Sequence, residues 1–125
     1  MAHLTDEKAR AFEMHGVTFT SFAAGATGAR TLAAWRADFA PDTPGQAHTM
    51  AKEEVLYVLS GVLDIEIDDE RFTAEAGDCA IVPAGAVLRV TNSTPEPAGA
   101  WVTSLIGMTA SMQAGGDRIA PPWAQ

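Results

Sequence analysis

Between residues 17 and 108, short apolar-rich runs follow one another with turn-forming residues between each pair. The breaks are Gly25-Ala26-Thr27-Gly28, the loop from Pro41 to Gly45, Ser60-Gly61, Asp68-Asp69-Glu70, Gly77-Asp78, Pro83-Ala84-Gly85 and the Pro95/Pro97 loop. Runs this short leave little room for helices of ordinary length, and glycine and proline at the breaks stop a helix from propagating. Inside the runs the period is two. Over 31–39, Leu32, Ala34, Arg36 and Asp38 fall on one face, while Thr31, Ala33, Trp35, Ala37 and Phe39 fall on the other. About eight short strands at nearly even spacing are the signature of an antiparallel sandwich or barrel.

The strands are predicted over 17–22, 31–39, 54–59, 62–67, 71–75, 79–82, 87–91 and 100–108. The run at 54–59, rich in Val, Leu and Tyr, reads as a strand buried on both faces. Residues 4–14 predict a short helix, with Thr5 or Asp6 as its cap and Glu7 in the first turn. The organisation expected is an N-terminal arm (1–16), a barrel (17–108) and a C-terminal tail (109–125). The tail, which includes Gly115-Gly116, has too few apolar residues for a core of its own. It nevertheless contains Trp123, which suits a packing anchor. The tail is expected across the barrel body, across its mouth, or on a second subunit.

At 125 residues and 47% apolar, the chain has the size and composition of one folded domain. Sixteen acidic against eight basic residues give a net charge of -8, which argues against nucleic acid and against anionic membranes as partners. The single cysteine, Cys79, cannot form an internal disulfide or a multi-cysteine zinc site, and its strand suggests an inert buried thiol. No apolar run reaches membrane-spanning length, and the first residues lack a signal-peptide core, so a cytoplasmic protein is expected. Asn92-Ser93-Thr94 then matches a glycosylation acceptor by chance.

Two segments carry potential chemistry. In the first, His48, Glu54 and Gly61 stand at the spacing H-x5-E-x6-G. In the second, Gly77, Pro83, Gly85 and Asn92 stand at the spacing G-x5-P-x-G-x6-N. On these residues the chain resembles the cupins. That resemblance implies an all-β fold, the double-stranded β-helix or jelly-roll barrel, and commonly a homodimer. In cupins two histidines and the glutamate of the first segment, with a histidine of the second, hold one divalent metal. Here Met50 and Leu88 occupy two of the histidine positions, and Asp42 replaces a leading turn glycine. His48 and Glu54 alone make an incomplete metal set, because catalytic metals usually take three or more protein ligands. Leucine cannot coordinate, and a thioether is a soft ligand suited to copper(I) more than to iron, manganese or zinc. The plain reading of Met50 is a side chain that fills the space of an absent metal.

The barrel template directs His48 and Glu54 toward the cavity, within reach of each other. Met50, Leu88, Trp35, Phe39, Tyr57 and Trp101 are the candidate pocket walls. Arg36 and Asp38 are expected to face outward, as is Arg89 beside Leu88. His3 and His15 are expected in solvent. Three functions follow. The leading one is a small-molecule-binding cupin with an apolar pocket and no cofactor, acting as sensor, carrier or accessory subunit. The second is a metal-independent isomerase, cyclase or dehydratase using Glu54 and His48 as acid–base groups. The third is an oxygenase-like cupin holding one divalent metal through His48 and Glu54.

Overall fold

In the computed structural model, which describes residues 2–112 and 117–125, the turns named above separate short strands. In chain order these are β1 (Arg10–Met14), β2 (Val17–Ala23), β3 (Leu32–Phe39), β4 (His48–Met50), β5 (Glu54–Ser60) and β6 (Val62–Ile67). They continue with β7 (Glu70–Glu75), β8 (Cys79–Val82), β9 (Val87–Thr91), β10 (Ala98–Leu105), β11 (Ala110–Met112) and β12 (Arg118–Ile119). All pairings are antiparallel, in two six-stranded sheets ordered β1-β2-β3-β10-β5-β8 and β12-β11-β4-β9-β6-β7. This is the jelly-roll barrel that the two segments imply. Period-two alternation drives it: each strand has one apolar face, and facing two such sheets toward each other removes both faces from water. Trp35, Leu56, Val58, Leu63, Ile65, Val82, Leu88 and Val102 form the shared core.

The turn residues act through their backbones. Gly61 joins β5 to β6 at φ 72°, and a Cβ there would lie 2.6 Å from the Pro97 carbonyl oxygen. Asp42, at the leading glycine position, holds the left-handed conformation itself at φ 52°, which aspartate tolerates better than most residues. Asn92 is fully buried and ties two loops together. Its Nδ2 donates to the carbonyls of Ala40 (3.1 Å) and Glu96 (2.8 Å), and its Oδ1 accepts from the Thr94 backbone N–H (3.1 Å) and hydroxyl (2.9 Å). A side chain so enclosed is closed to glycosylation in the folded chain.

Three expectations need correction. Residues 4–14 do not form a helix. Only Asp6–Lys8 make a single 3-10 turn, and Arg10–Met14 pair with β2 instead. Arg10, Phe12 and Met14 alternate with exposed Ala11 and Glu13, so the strand reading of this stretch wins, and it covers the otherwise open edge of β2. β5 is not buried on both faces, since Val55, Tyr57 and Leu59 remain exposed. Cys79 is exposed too, because Ala80 and Val82 take the inward positions of β8. His15 is exposed, as expected, and stands in the β1–β2 turn beside the cavity. His3 is exposed, and Arg36 and Asp38 face outward as an ion pair at 2.9 Å. Arg89 is exposed and lies 3.8 Å from Glu66.

The tail packs back onto the barrel, although Gly115 and Gly116 lie outside the described residues. β11 extends the second sheet from β4, and β12 pairs with β11. The 3-10 turn at Pro122–Ala124 then buries Trp123 against Phe19, with ring centroids 3.9 Å apart and planes nearly parallel. Ser21 Oγ donates to the Trp123 carbonyl at 2.8 Å, and the Gly107 N–H donates to that of Ala124 at 3.0 Å. Truncating a buried tryptophan typically costs about 3–5 kcal/mol. Trp123→Ala is therefore expected to lower the unfolding free energy in urea by about 3 kcal/mol or more, and a loss below about 1 kcal/mol would show that the tail is not part of the packed body.

Candidate functional site

A cavity of about 140 Å³ opens between the two sheets. β3 supplies Trp35, Ala37 and Phe39, and β5 supplies Glu54 and Leu56. β4 and β9 supply His48, Met50, Leu88 and Val90 from the opposite sheet. The remaining wall comes from outside the central strands: Met14, His15 and Phe19 of the N-terminal hairpin, and Met108, Met112, Ile119, Pro121 and Trp123 of the C-terminal segment. No lysine or arginine stands among these lining residues.

Of the candidate wall residues, Trp35, Phe39, Met50 and Leu88 border the cavity, together with His48 and Glu54. Tyr57 and Trp101 do not. Leu56 and Val58 face inward on β5, which turns Tyr57 outward at 43% exposure. Trp101 is its cross-strand partner on the same outer face, where it meets Phe22 at 5.6 Å between ring centroids. Strand alternation around the inward Glu54 contains this information, since residues an odd number of places along the strand face the other way. The hairpin and tail residues carried no comparable signal, because only long-range packing brings them to the cavity.

Glu54 is buried, and among the described residues no cation or hydrogen-bond donor acts on its carboxyl. Burial alone pushes it up to about 8, from an ordinary value of 4.5. At neutral pH the group is therefore mainly a neutral carboxylic acid, able to donate as well as accept a hydrogen bond. His48 and Glu54 both reach the cavity, as expected, but make neither an ion pair nor a hydrogen bond with each other. The ion pairs among the described residues join Arg36 with Asp6 and Asp38, and Glu66 with Arg71 and Arg89. His48 Nδ1 instead donates to the Gln46 carbonyl oxygen at 2.7 Å, which fixes the ring and leaves Nε2 as its second polar atom.

The residues present do not fit a hard divalent metal of the kind cupins hold. Directly opposite His48 in the β4–β9 register stands Leu88, and Met50 follows two places along β4. Among the described residues no three histidine, cysteine or carboxylate side chains come together as a metal-binding group. A doubly charged ion here would meet the imidazoles of His48 and His15, one protonated carboxyl and mostly apolar walls, a poor exchange for its hydration shell.

Residues 35–103 match the family model described as Cupin domain. Among solved structures, an RmlC-like cupin from Shewanella frigidimarina superposes with a TM-score of 0.70 at 18% identity, covering 82% of this chain and 87% of that one. The polyketide cyclase RemF from Streptomyces resistomycificus gives 0.74 at 16% identity over 84% and 79% of the two chains. A sugar phosphate isomerase of the cupin superfamily from Silicibacter pomeroyi gives 0.69 at 18% identity over 90% and 85%. At such identities these structures establish the shared fold. No curated protein sequence matches the chain.

The buried carboxyl has a consequence for stability. Its folded pKa lies above its unfolded one, so the folded state keeps a proton that the unfolded state releases between about pH 4.5 and 8. Stability contributed at this site thus falls as pH rises through that window and levels off above it. The accumulated cost is about 5 kcal/mol. Glu54→Gln removes the ionisation, so the variant should gain on the parent steadily from pH 5 to pH 8 in urea denaturation. A pH-independent difference would show that Glu54 ionises freely.

Proposed function

The chain belongs to the cupin domain family, and we propose that it is a small-molecule-binding cupin whose ligand sits between the sheets against Glu54. The observation that carries this reading is a carboxyl that faces an apolar cavity with no hydrogen bond or ion pair to it among the described residues. Leaving such a group unsatisfied is costly, and a core made only for stability would replace it with an apolar side chain. Cavities of about 150 Å³ in other proteins hold one benzene ring. The ligand is accordingly about one ring in size, largely apolar, and carries a carbonyl or hydroxyl that pairs with Glu54. Phosphates and carboxylates are disfavoured, because no lysine or arginine lines the site.

Acetophenone, a neutral one-ring ketone, is a suitable probe with tryptophan emission as readout. It is expected to quench emission saturably at pH 6 and to bind about tenfold more weakly at pH 9, where most of Glu54 is ionised. Benzoate is expected not to bind, and Glu54→Gln is expected to bind acetophenone without the pH dependence. Absence of saturable quenching, or an unchanged pH dependence in the variant, would remove Glu54 from the site.

A second reading, a metal-independent isomerase, cyclase or dehydratase, is favoured by the same carboxyl, since a pKa near neutrality suits proton transfer. His48, at the cavity but not bonded to Glu54, would be the second acid–base group. In this reading the protein accelerates exchange of α-protons of a bound ketone with D2O, followed by NMR, and Glu54→Gln abolishes the exchange while binding persists. Exchange at the solvent rate in the parent removes the reading.

The likeness to cupins supports a homodimer, and so does an unusual amount of exposed apolar surface on the outer face of the first sheet. Val55, Tyr57, Leu59, Ile81, Leu105 and Leu32 are all at least one-third exposed there. Sedimentation equilibrium should give twice the chain mass for the parent and a shift toward monomer for Ile81→Asp. A monomeric parent would contradict this. No helix among the described residues is long and apolar enough to cross a membrane. The free Cys79 suits the reducing cytoplasm proposed as the protein's location.

A further inference from the structure

Every methionine among the described residues lines the one cavity: Met14, Met50, Met108 and Met112. Their placement around His48 is set by strand register. Met112 on β11 stands directly opposite His48 on β4, and Met50 lies two places along β4 with Ala110 opposite it. Direct cross-strand partners share a face with Cβ atoms about 5 Å apart, as do residues two apart on one strand at a somewhat greater distance. Met50 and Met108 are almost wholly buried, at 2% and 3% exposure. Methionine also serves to fill irregular gaps in a core; what distinguishes this cavity is that four thioethers share it with the imidazole of His48.

The imidazole is also prepared for a ligand. Its Nδ1 proton is committed to the Gln46 carbonyl at 2.7 Å, the arrangement by which metal-binding histidines fix their tautomer and free Nε2 to coordinate. Thioether and imidazole together form a neutral, soft donor set, which selects copper(I) over zinc, iron or manganese. Charge points the same way. The solvation cost of burying an ion grows with the square of its charge, so an apolar cavity without a negatively charged ligand tolerates a monovalent ion far better than a divalent one.

The geometry points to a copper(I) site formed by His48 Nε2 and the sulfurs of Met50 and Met112, with Met108 and Met14 as further thioethers lining the same cavity. The site shares the cavity with the organic-ligand reading but uses neither Glu54 nor the aromatic residues. It involves binding only, of a cation already in the reduced state.

The test uses the full chain carrying His3→Ala and Cys79→Ser, which removes exposed copper ligands outside the cavity. Under anaerobic, reducing conditions this protein is expected to withdraw one equivalent of copper(I) from a chromophoric chelator and to take up no stoichiometric zinc(II). X-ray absorption should show both sulfur and imidazole nitrogen around the copper. Met112→Leu, and separately Met50→Leu/Met112→Leu, keep the apolar volume and are expected to raise the copper(I) dissociation constant about tenfold or more, with unchanged circular dichroism. Failure here is read from copper(I) competition and X-ray absorption alone, whereas failure of the organic-ligand reading shows as absent acetophenone quenching in the parent protein, so the two are distinguishable. Three results would each overturn the copper site: no withdrawal of copper(I) by the background protein, leucine variants that compete as well as it does, or a copper environment without sulfur.

Discussion

The two sheets are held together by inward-facing side chains that must fill the space between them, and this packing sets the position of almost everything else. Trp35, Leu56, Val58, Leu63, Ile65 and Val102 fill it well over much of its extent. Near β4 they do not, and a cavity remains. The cavity survives because its walls are tied from outside. Asn92 binds the loops at Ala40 and Glu96, Gly45 approaches the Val90 carbonyl more closely than a side chain would allow, and the register of β4 between β9 and β11 fixes His48 and Met50. A rigid frame of this kind can carry an unsatisfied carboxyl without collapsing onto it.

The frame and the site are thus conserved by different physics within one molecule. Turn residues of the two cupin segments act through backbone geometry and remain at Gly61, Gly77, Gly85 and Asn92, while Asp42 reproduces the glycine conformation it replaces. The ligand positions act through donor chemistry, and there the chain departs twice, at Met50 and Leu88. Both replacements are apolar and both are buried, so the interior stays filled. What changes is the polarity of the cavity. The imidazoles of His48 and His15 and one neutral acid now sit among thioethers and aromatic rings, and such a site favours uncharged organic groups and soft cations over hard ions and anions.

Much of the barrel was legible because period two and turn chemistry are local signals. The strands over 31–39, 62–67, 79–82 and 87–91 follow from them to within a residue, compared with Leu32–Phe39, Val62–Ile67, Cys79–Val82 and Val87–Thr91 in the structure. The first fourteen residues misled because capping residues at Thr5 and Asp6 are local too, yet the open edge of β2 offered Arg10–Met14 more than an isolated helix could. The candidate site was legible where strand alternation governs it, at Trp35, Phe39, Met50, Glu54 and Leu88. The same alternation carried Tyr57 and Trp101 to the outer face. The missing third of the wall was not legible at all. Met14, Phe19, Ile119 and Trp123 meet only because two chain segments far apart in sequence fold over the same opening.

That last feature sets an order of events during folding. The contact between Ser21 and Trp123 spans 102 residues, one of the longest loop closures in the molecule, and it follows naturally once the central strands have paired. Without the docked tail, Phe19 would lose its stacking partner Trp123, and the cavity would lose the part of its wall that Met112, Ile119, Pro121 and Trp123 supply.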